Sequence, residues 1–259
     1  MAFLENNVMI ERISALKKER GAVILAHNYE LAEVQDIADY TGDSLELSIR
    51  AAETQAKVIL FCGVSFMAET AKVLSPDKTV LIPAPHAGCA MADMVDAAGL
   101  AALKAQHPGA MVVTYVNSTA EVKALSDICV TSANAEKIVA QIPADREIIF
   151  VPDMNLGRNI MNKTGRKMIF WQGFCPTHRR ITNGEIERRK KEFPNALVLA
   201  HPECNPEIAP LVDEFLSTGG ICITLKAAPF LSLTMRSTSA ASVPRATTSS
   251  GVRPSSQSA

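Results

Sequence analysis

The chain has 259 residues, enough for one large domain or two to three small ones. With 47% hydrophobic and 20% charged residues and a mean hydropathy of +0.11, the composition excludes a disordered or fibrous protein. Twenty-six Lys and Arg against 27 Asp and Glu leave a net charge of −1, so nothing global attracts nucleic acid or an anionic membrane, and neither partner is expected.

The opening MAFLENNVMIERISALKKER lacks the apolar stretch and cleavage site of a secretory signal, and residues 1–20 read as an N-terminal helix. No apolar run approaches the roughly 18 to 20 residues that cross a bilayer, so a cytoplasmic location is expected. Six cysteines (Cys62, Cys89, Cys129, Cys175, Cys204, Cys222) are scattered singly, without a CxxC pair. In a reducing compartment that pattern means buried thiols, metal ligands or catalysis rather than cross-links.

From residue 21 to about 221, short aliphatic runs alternate with helical stretches. The strand candidates are 22–27, 56–61, 79–83, 110–115, 147–151, 167–171 and 196–201. The segments LAEVQDIADY, LELSIRAAETQA and NGEIERRKKEF between them carry helix formers, and MADMVDAAGLAAL reads as ordinary helix packing. Such alternation predicts α/β architecture with parallel sheets covered by helices. The basic run ERRKKEF has interleaved Glu and no aromatic platform, so it reads as a solvated face.

An internal repeat appears when VILAHNYE, VVTYVNSTAE and LVLAHPECNPE are superposed: His27, Tyr115 and His201 are spaced by 88 and 86 residues. Seventeen residues after each lies a small hydroxyl residue in a turn, Ser44, Ser132 and Thr218. Cys89 and Cys175, in the loops PHAGCAMADM and WQGFCPTH, repeat at a spacing of 86. The expected architecture is therefore three pseudo-symmetric parallel αβα units around a central cavity. They cover 21–109, 110–195 and a third, incomplete unit starting at 196–221. From Cys222 the composition changes: nine of the last 38 residues are Ser and none is acidic. Residues 222–259 are expected to form an aberrant tail, without stable structure from about residue 225. Codons for CITLKAAPFLSL, read two bases later, permit YYVKSSPVSEF, an ordinary lead into a βα unit, so a shifted reading frame is one account of the tail.

Ligands of parallel α/β sheets bind at the carboxyl ends of strands, where every repeated polar residue here lies. His27, Asn28 and Tyr29 follow one strand, Tyr115, Asn117 and Ser118 a second, His201 and Glu203 a third. A lone strand-end histidine is more often a cap or a satisfied core group; threefold recurrence favours a site. Ser44, Ser132 and Thr218 read as helix N-caps, worth about 1 kcal/mol each. The same helix termini offer N–H groups to a doubly or triply anionic substrate. Cys62 and Cys129 read as small buried hydrophobes. Cys89 and Cys175 suggest one ligand per unit to a shared metal centre, with a third position near 261; a structural zinc site and inert thiols remain open.

AHNYE followed by GDS, CAMADM, TYVNSTAEVKALSD with TSAN, VPDMNLGRN, W-x-G-x-C from Trp171 to Cys175 with His178, and AHPEC with STGG together closely resemble the quinolinate synthase family from about residue 20 to 221. The resemblance implies a [4Fe-4S] cluster held by one cysteine per domain. It implies condensation of iminoaspartate with dihydroxyacetone phosphate to quinolinate, phosphate and water, in de novo NAD synthesis. Cys89 and Cys175 look like two cluster ligands; the family's third, in a Cys-Pro loop, has no counterpart in this sequence, and Cys222 lies at the wrong place in the repeat. His27, Ser44, Tyr115, Asn117, Ser132, His201, Glu203 and Thr218 look like the substrate-binding set. Tyr115, Glu203, His27 and His201 are its candidates for proton transfer and catalysis. An aspartate oxidase or dehydrogenase is the implied supplier of iminoaspartate. With the third thiolate missing, the chain is expected to hold the cluster weakly or not at all and to make little quinolinate; the alternative is an inactive fragment lacking the third cluster ligand, at most a small-anion-binding α/β module.

Overall fold

A computed structural model of the chain describes residues 2–227 and 240–244. After helix α1 (Ala2–Arg20), strand β1 (Ala22–His27) starts a βα series through α2 (Ala32–Ile37), β2 (Tyr40–Gly42), α3 (Ser44–Glu53), β3 (Val58–Cys62), α4 (Ser65–Leu74) and β4 (Thr79–Leu81). A 3-10 turn (Ala92–Met94) and α5 (Ala97–Gln106) follow. A second series comprises β5 (Met111–Tyr115), α6 (Ala120–Ala124), β6 (Ile128–Val130), α7 (Ala135–Gln141), β7 (Ile148–Val151), α8 (Met154–Thr164) and β8 (Ile169–Phe170). Then come α9 (Pro176–Arg179), α10 (Asn183–Glu192), β9 (Ala196–Ala200), β10 (Glu214–Phe215), α11 (Thr218–Ala227) and β11 (Ala240–Pro244).

The first two sheets share one topology, β2-β1-β3-β4 and β6-β5-β7-β8, with all pairs parallel. Strands buried on both faces are continuously apolar, as in AVILAH and IIFV, because helices cover each side. Leu25, Phe61, Val113 and Phe150 belong to one hydrophobic cluster, so these two sheets share a core.

The repeat persists to the level of single atoms. In the parallel pairs β1–β2, β5–β6 and β9–β10 the offset is the same, Leu25 opposite Tyr40, Val113 opposite Ile128 and Leu199 opposite Glu214. Each pair is tied by an aspartate that accepts from an amide fifteen residues earlier: Asp39 from Ile24 at 2.8 Å, Asp127 from Val112 at 2.7 Å and Asp213 from Val198 at 2.8 Å.

Four local expectations are corrected. The segment MADMVDAAGLAAL is not one helix, because the Asp96 side chain accepts from Gly99 N at 2.6 Å and starts α5 afresh. Cys129 is exposed, since β6 is an edge strand whose alternate residues face outward, whereas Cys62 is buried as expected. The hydroxyls of Ser44 and Ser132 do not cap: Asp43 forms a capping box with Glu46 at the start of α3, and Asn134 stands at the cap of α7. The tail is not structureless from residue 225, because α11 runs to Ala227 and Ala240–Pro244 add antiparallel to β9, covering an otherwise unpaired edge. The remainder of that expectation, residues 228–239 and 245–259, lies outside the described residues.

Candidate active site and metal-ligand set

The carboxyl ends of β1, β5 and β9 deliver His27, Tyr115 and His201, all buried. Buried Glu203 contacts two of them, Tyr115 and His201. The Tyr115 hydroxyl donates to Glu203 Oε1 at 2.6 Å, and His178 Nδ1 lies 2.8 Å from Glu203 Oε2. The same Nδ1 lies 3.0 Å from Cys175 Sγ. The His178 and His201 rings are tilted with centroids 4.9 Å apart, and His201 Nδ1 is 3.8 Å from Glu203 Oε1.

Backbone amides fix both repeated imidazoles. Tyr29 N donates to His27 Nδ1 at 3.3 Å, and Glu203 N donates to His201 Nδ1 at 3.3 Å. Each ring therefore carries its proton on Nε2, and that of His201 points to Ser132 Oγ at 3.1 Å. Burial lowers the pKa of His27 and of His201 to about 4, so both are neutral at pH 7. Burial also pulls on His178, but its hydrogen bonds to Cys175 and Glu203, and their charges, outweigh this and hold it up at about 10. Burial alone would raise the Glu203 pKa; the adjacent imidazoles and the Tyr115 hydroxyl outweigh it and hold the carboxyl below the usual carboxylate range. Burial and the Glu203 charge raise the Tyr115 pKa, so the phenol keeps its proton.

The supporting residues come from α8. Asn159 Nδ2 donates to Pro202 O at 2.7 Å and to Cys204 O at 3.1 Å, and Asn155 Nδ2 to Glu203 O at 3.4 Å. Asp153 caps this helix through Oδ1, leaving its buried Oδ2 without a partner, and burial and the Glu203 charge push its pKa up to about 8. The Asn117 side-chain oxygen is likewise buried and unpartnered. At the other side of the site, a Cβ on Gly219 would lie 2.6 Å from Asp43 Oδ2, so the first turn of α11, with Thr218, packs against the start of α3, with Ser44. The Ser217 hydroxyl accepts from Gly220 N at 3.1 Å, which leaves capping to Ser217 rather than Thr218. The Asp43 carboxylate takes the amides of Leu45 and Glu46, so α3 presents the Ser44 hydroxyl rather than a free set of N–H groups.

Cys89 and Cys175 are half-buried and pack against the same core cluster. Burial raises the Cys89 pKa against the opposing backbone hydrogen bonds of Ala92 and Met91. Trp171 joins their loops: its indole N–H donates to Met94 O at 2.7 Å, and Phe174 N approaches Met94 Sδ at 3.4 Å. Cys222 lies on α11, whose Gly219 packs against Asp43 and Glu46 at the start of α3. Half-buried thiols that repeat once per unit have the donor chemistry of a metal centre. One further set is compact: ligand atoms of Cys175, His178 and Glu203 all lie within 4.8 Å of one another.

The repeated strand ends do not point to His178, Asp153, Asn155 or Asn159. Their signal is their place in WQGFCPTH and VPDMNLGRN, outside those strand ends.

Parallel α/β sheets whose strand ends carry a buried acid, two neutral imidazoles and nearby half-buried cysteines define an α/β enzyme. The family model described as NadA, quinolinate synthetase A protein, matches residues 11–235, a span wider than the resemblance read at 20–221. The chain belongs to this quinolinate synthase family. It is 56% identical over 218 residues to a quinolinate synthase of Geobacter metallireducens, covering 84% of this chain and 71% of the relative. It is 55% identical over 230 residues to that of Pelobacter propionicus (87% and 75%). With that of Methanoregula boonei it shares 54% over 219 residues (85% and 72%). Family membership makes this an enzyme of NAD biosynthesis acting on small molecules, and no helix among the described residues is long and apolar enough to cross a membrane.

Proposed function

We infer that the chain condenses iminoaspartate with dihydroxyacetone phosphate to give quinolinate, phosphate and water. The observation that carries this reading is the meeting of Tyr115, Ser132, His178, His201 and Glu203, drawn from separate sheets and loops, at a buried site beside two half-buried thiols. The recurrent Asp39, Asp127 and Asp213 contacts support an arrangement of three pseudo-symmetric units, 21–109, 110–195 and 196–221, around that site.

Cys89 and Cys175 would hold a [4Fe-4S] cluster, which when bound supplies a Lewis-acidic iron to substrate oxygens. The chain's own groups do the rest. Ser44, Thr218, Asn117 and Ser132 bind the carboxylates and phosphate by hydrogen bonding. Neutral His27 and His201 orient substrate and offer the proton on Nε2, since their Nδ1 lone pairs are held by the Tyr29 and Glu203 amides. Tyr115 keeps the proton on its oxygen and donates it as a hydrogen bond to Glu203, which holds the carboxylate in place. Burial of this network excludes water from a reactive imine. An aspartate oxidase or dehydrogenase in the cytoplasm would supply that imine.

Anaerobic reconstitution with iron and sulfide, followed by iron and sulfide analysis and a quinolinate assay on the two substrates, tests the reading. Cluster-dependent quinolinate formation, lost in Cys89→Ser and Cys175→Ser, is expected. Dicarboxylate binding without product would favour the small-anion-binding module.

A further inference from the structure

We propose that Cys175, His178 and Glu203 form a mononuclear site for a four-coordinate divalent transition-metal ion of the zinc and cobalt class. The inference goes beyond the proposed function and shares only Cys175 with the cluster-holding pair.

The geometry centres on one atom. His178 Nδ1 lies 3.0 Å from Cys175 Sγ and 2.8 Å from Glu203 Oε2, so a proton on that nitrogen is shared between thiol and carboxylate. A metal ion taking the same lone pair would find both other ligands already beside it. Metal–sulfur bonds of about 2.3 Å and metal–nitrogen or metal–oxygen bonds of about 2.0–2.1 Å at tetrahedral angles require ligand separations of about 3.3–3.6 Å. The His178–Cys175 and His178–Glu203 separations must therefore open by only about half an ångström, while the Cys175 and Glu203 ligand atoms, within 4.8 Å of each other, settle at the same spacing. On binding, the thiol proton and any proton on Nδ1 leave to solvent, and the charge of the thiolate and carboxylate balances the divalent ion.

The surroundings are those of a built site. The His178 and Glu203 side chains are only 15% and 5% exposed. Tyr115 occupies Glu203 Oε1, which directs Oε2 toward His178. Asn155 and Asn159 hold the backbone that carries Glu203. Such outer partners fix ligand orientation and are worth about 10–100-fold in metal affinity. Nitrogen, sulfur and oxygen from three residues, with a fourth position left for water or a substrate oxygen, suit zinc or cobalt rather than magnesium or calcium. The ion and a cluster need the same Cys175 thiolate, so each excludes the other.

The test uses the full chain, freed of iron by a chelator under anaerobic reducing conditions and titrated with cobalt(II) chloride. One equivalent should bind, with near-ultraviolet thiolate-to-cobalt absorption and the visible bands of a four-coordinate ion, and zinc chloride should displace it. Cys175→Ser should abolish the near-ultraviolet band, while His178→Gln and Tyr115→Phe should weaken binding about 10-fold or more. Cys89→Ser should keep the cobalt spectrum and affinity while failing to assemble a cluster, which separates this inference from the cluster reading. Circular dichroism checks each fold; if Cys175→Ser does not fold, the wild-type and Cys89→Ser spectra decide. Absence of the thiolate band in the wild-type chain, its survival in a folded Cys175→Ser, or its loss in a folded Cys89→Ser would overturn the proposal.

Discussion

The Tyr115 hydroxyl meets the Glu203 carboxylate at 2.6 Å although 88 residues separate them, and it joins the end of β5 to the loop after β9. Removing it with Tyr115→Phe leaves a buried carboxylate short of a charge-assisted bond, at a cost of about 2 kcal/mol. Urea unfolding should show that loss, and quinolinate turnover should fall more steeply than stability does. An unchanged urea midpoint would show that the bond does not form in solution.

His27 sets a pH dependence. Burial keeps its imidazole neutral to a pKa of about 4, with the charges of Asp43 and Glu203 pulling up and that of His201 pulling down, against an ordinary value of 6.5. Above pH 6.5 both folded and unfolded chains carry the neutral ring. As the pH falls from 6.5 to 4 only the unfolded chain takes up the proton, so folding stability drops by up to about 3 kcal/mol. Thermal melts at pH 7 and pH 4.5 should differ less for His27→Gln than for the wild type. Equal differences in the two proteins would refute the assignment.

Gly157 sits on α8 where a Cβ would lie 2.6 Å from Phe170 Cε1 and 3.0 Å from Phe150 Cδ1. Both rings belong to the shared core, so Gly157→Ala overpacks it by about 1–3 kcal/mol. In a Phe170→Leu background the same alanine should cost less, and a double-mutant cycle in urea measures the difference. Strict additivity would mean that the helix does not press on Phe170.

Asp127 is exposed, yet it accepts from the Val112 amide at 2.7 Å. Asp127→Ala should cost about 0.5–1.5 kcal/mol, with faster deuterium exchange confined to the start of β5. Exchange at Val112 as slow as in the wild type would remove the aspartate from the strand pairing.

Those aspartates show what the sequence made legible. A spacing of 88 and 86 residues between His27, Tyr115 and His201 is also the spacing between Asp39, Asp127 and Asp213. The three loops repeat because their anchors repeat. The long apolar strands were readable from composition, since both faces are buried. Strands of two or three residues, such as Glu214–Phe215 and Tyr40–Gly42, were not, because they are too short to show an apolar pattern and rest on a parallel neighbour one connection earlier. His178 was missed as a site residue for a related reason: its partner Glu203 lies 25 positions away and neither spacing nor periodicity links them. The capping role given to Ser44 failed because Asp43, one residue earlier, outcompetes a hydroxyl for the same amides.

Trp171 is the chain's one tryptophan, and its indole N–H is bonded to Met94 O, between the segment that carries Cys89 and the one that carries Cys175. Its fluorescence is therefore an intrinsic, label-free reporter positioned at the junction of the two thiol loops. Loss of the Met94 bond would alter the emission maximum, and an iron chromophore nearby would quench the intensity, so occupancy of the site can be followed in real time under anaerobic conditions without modifying the protein.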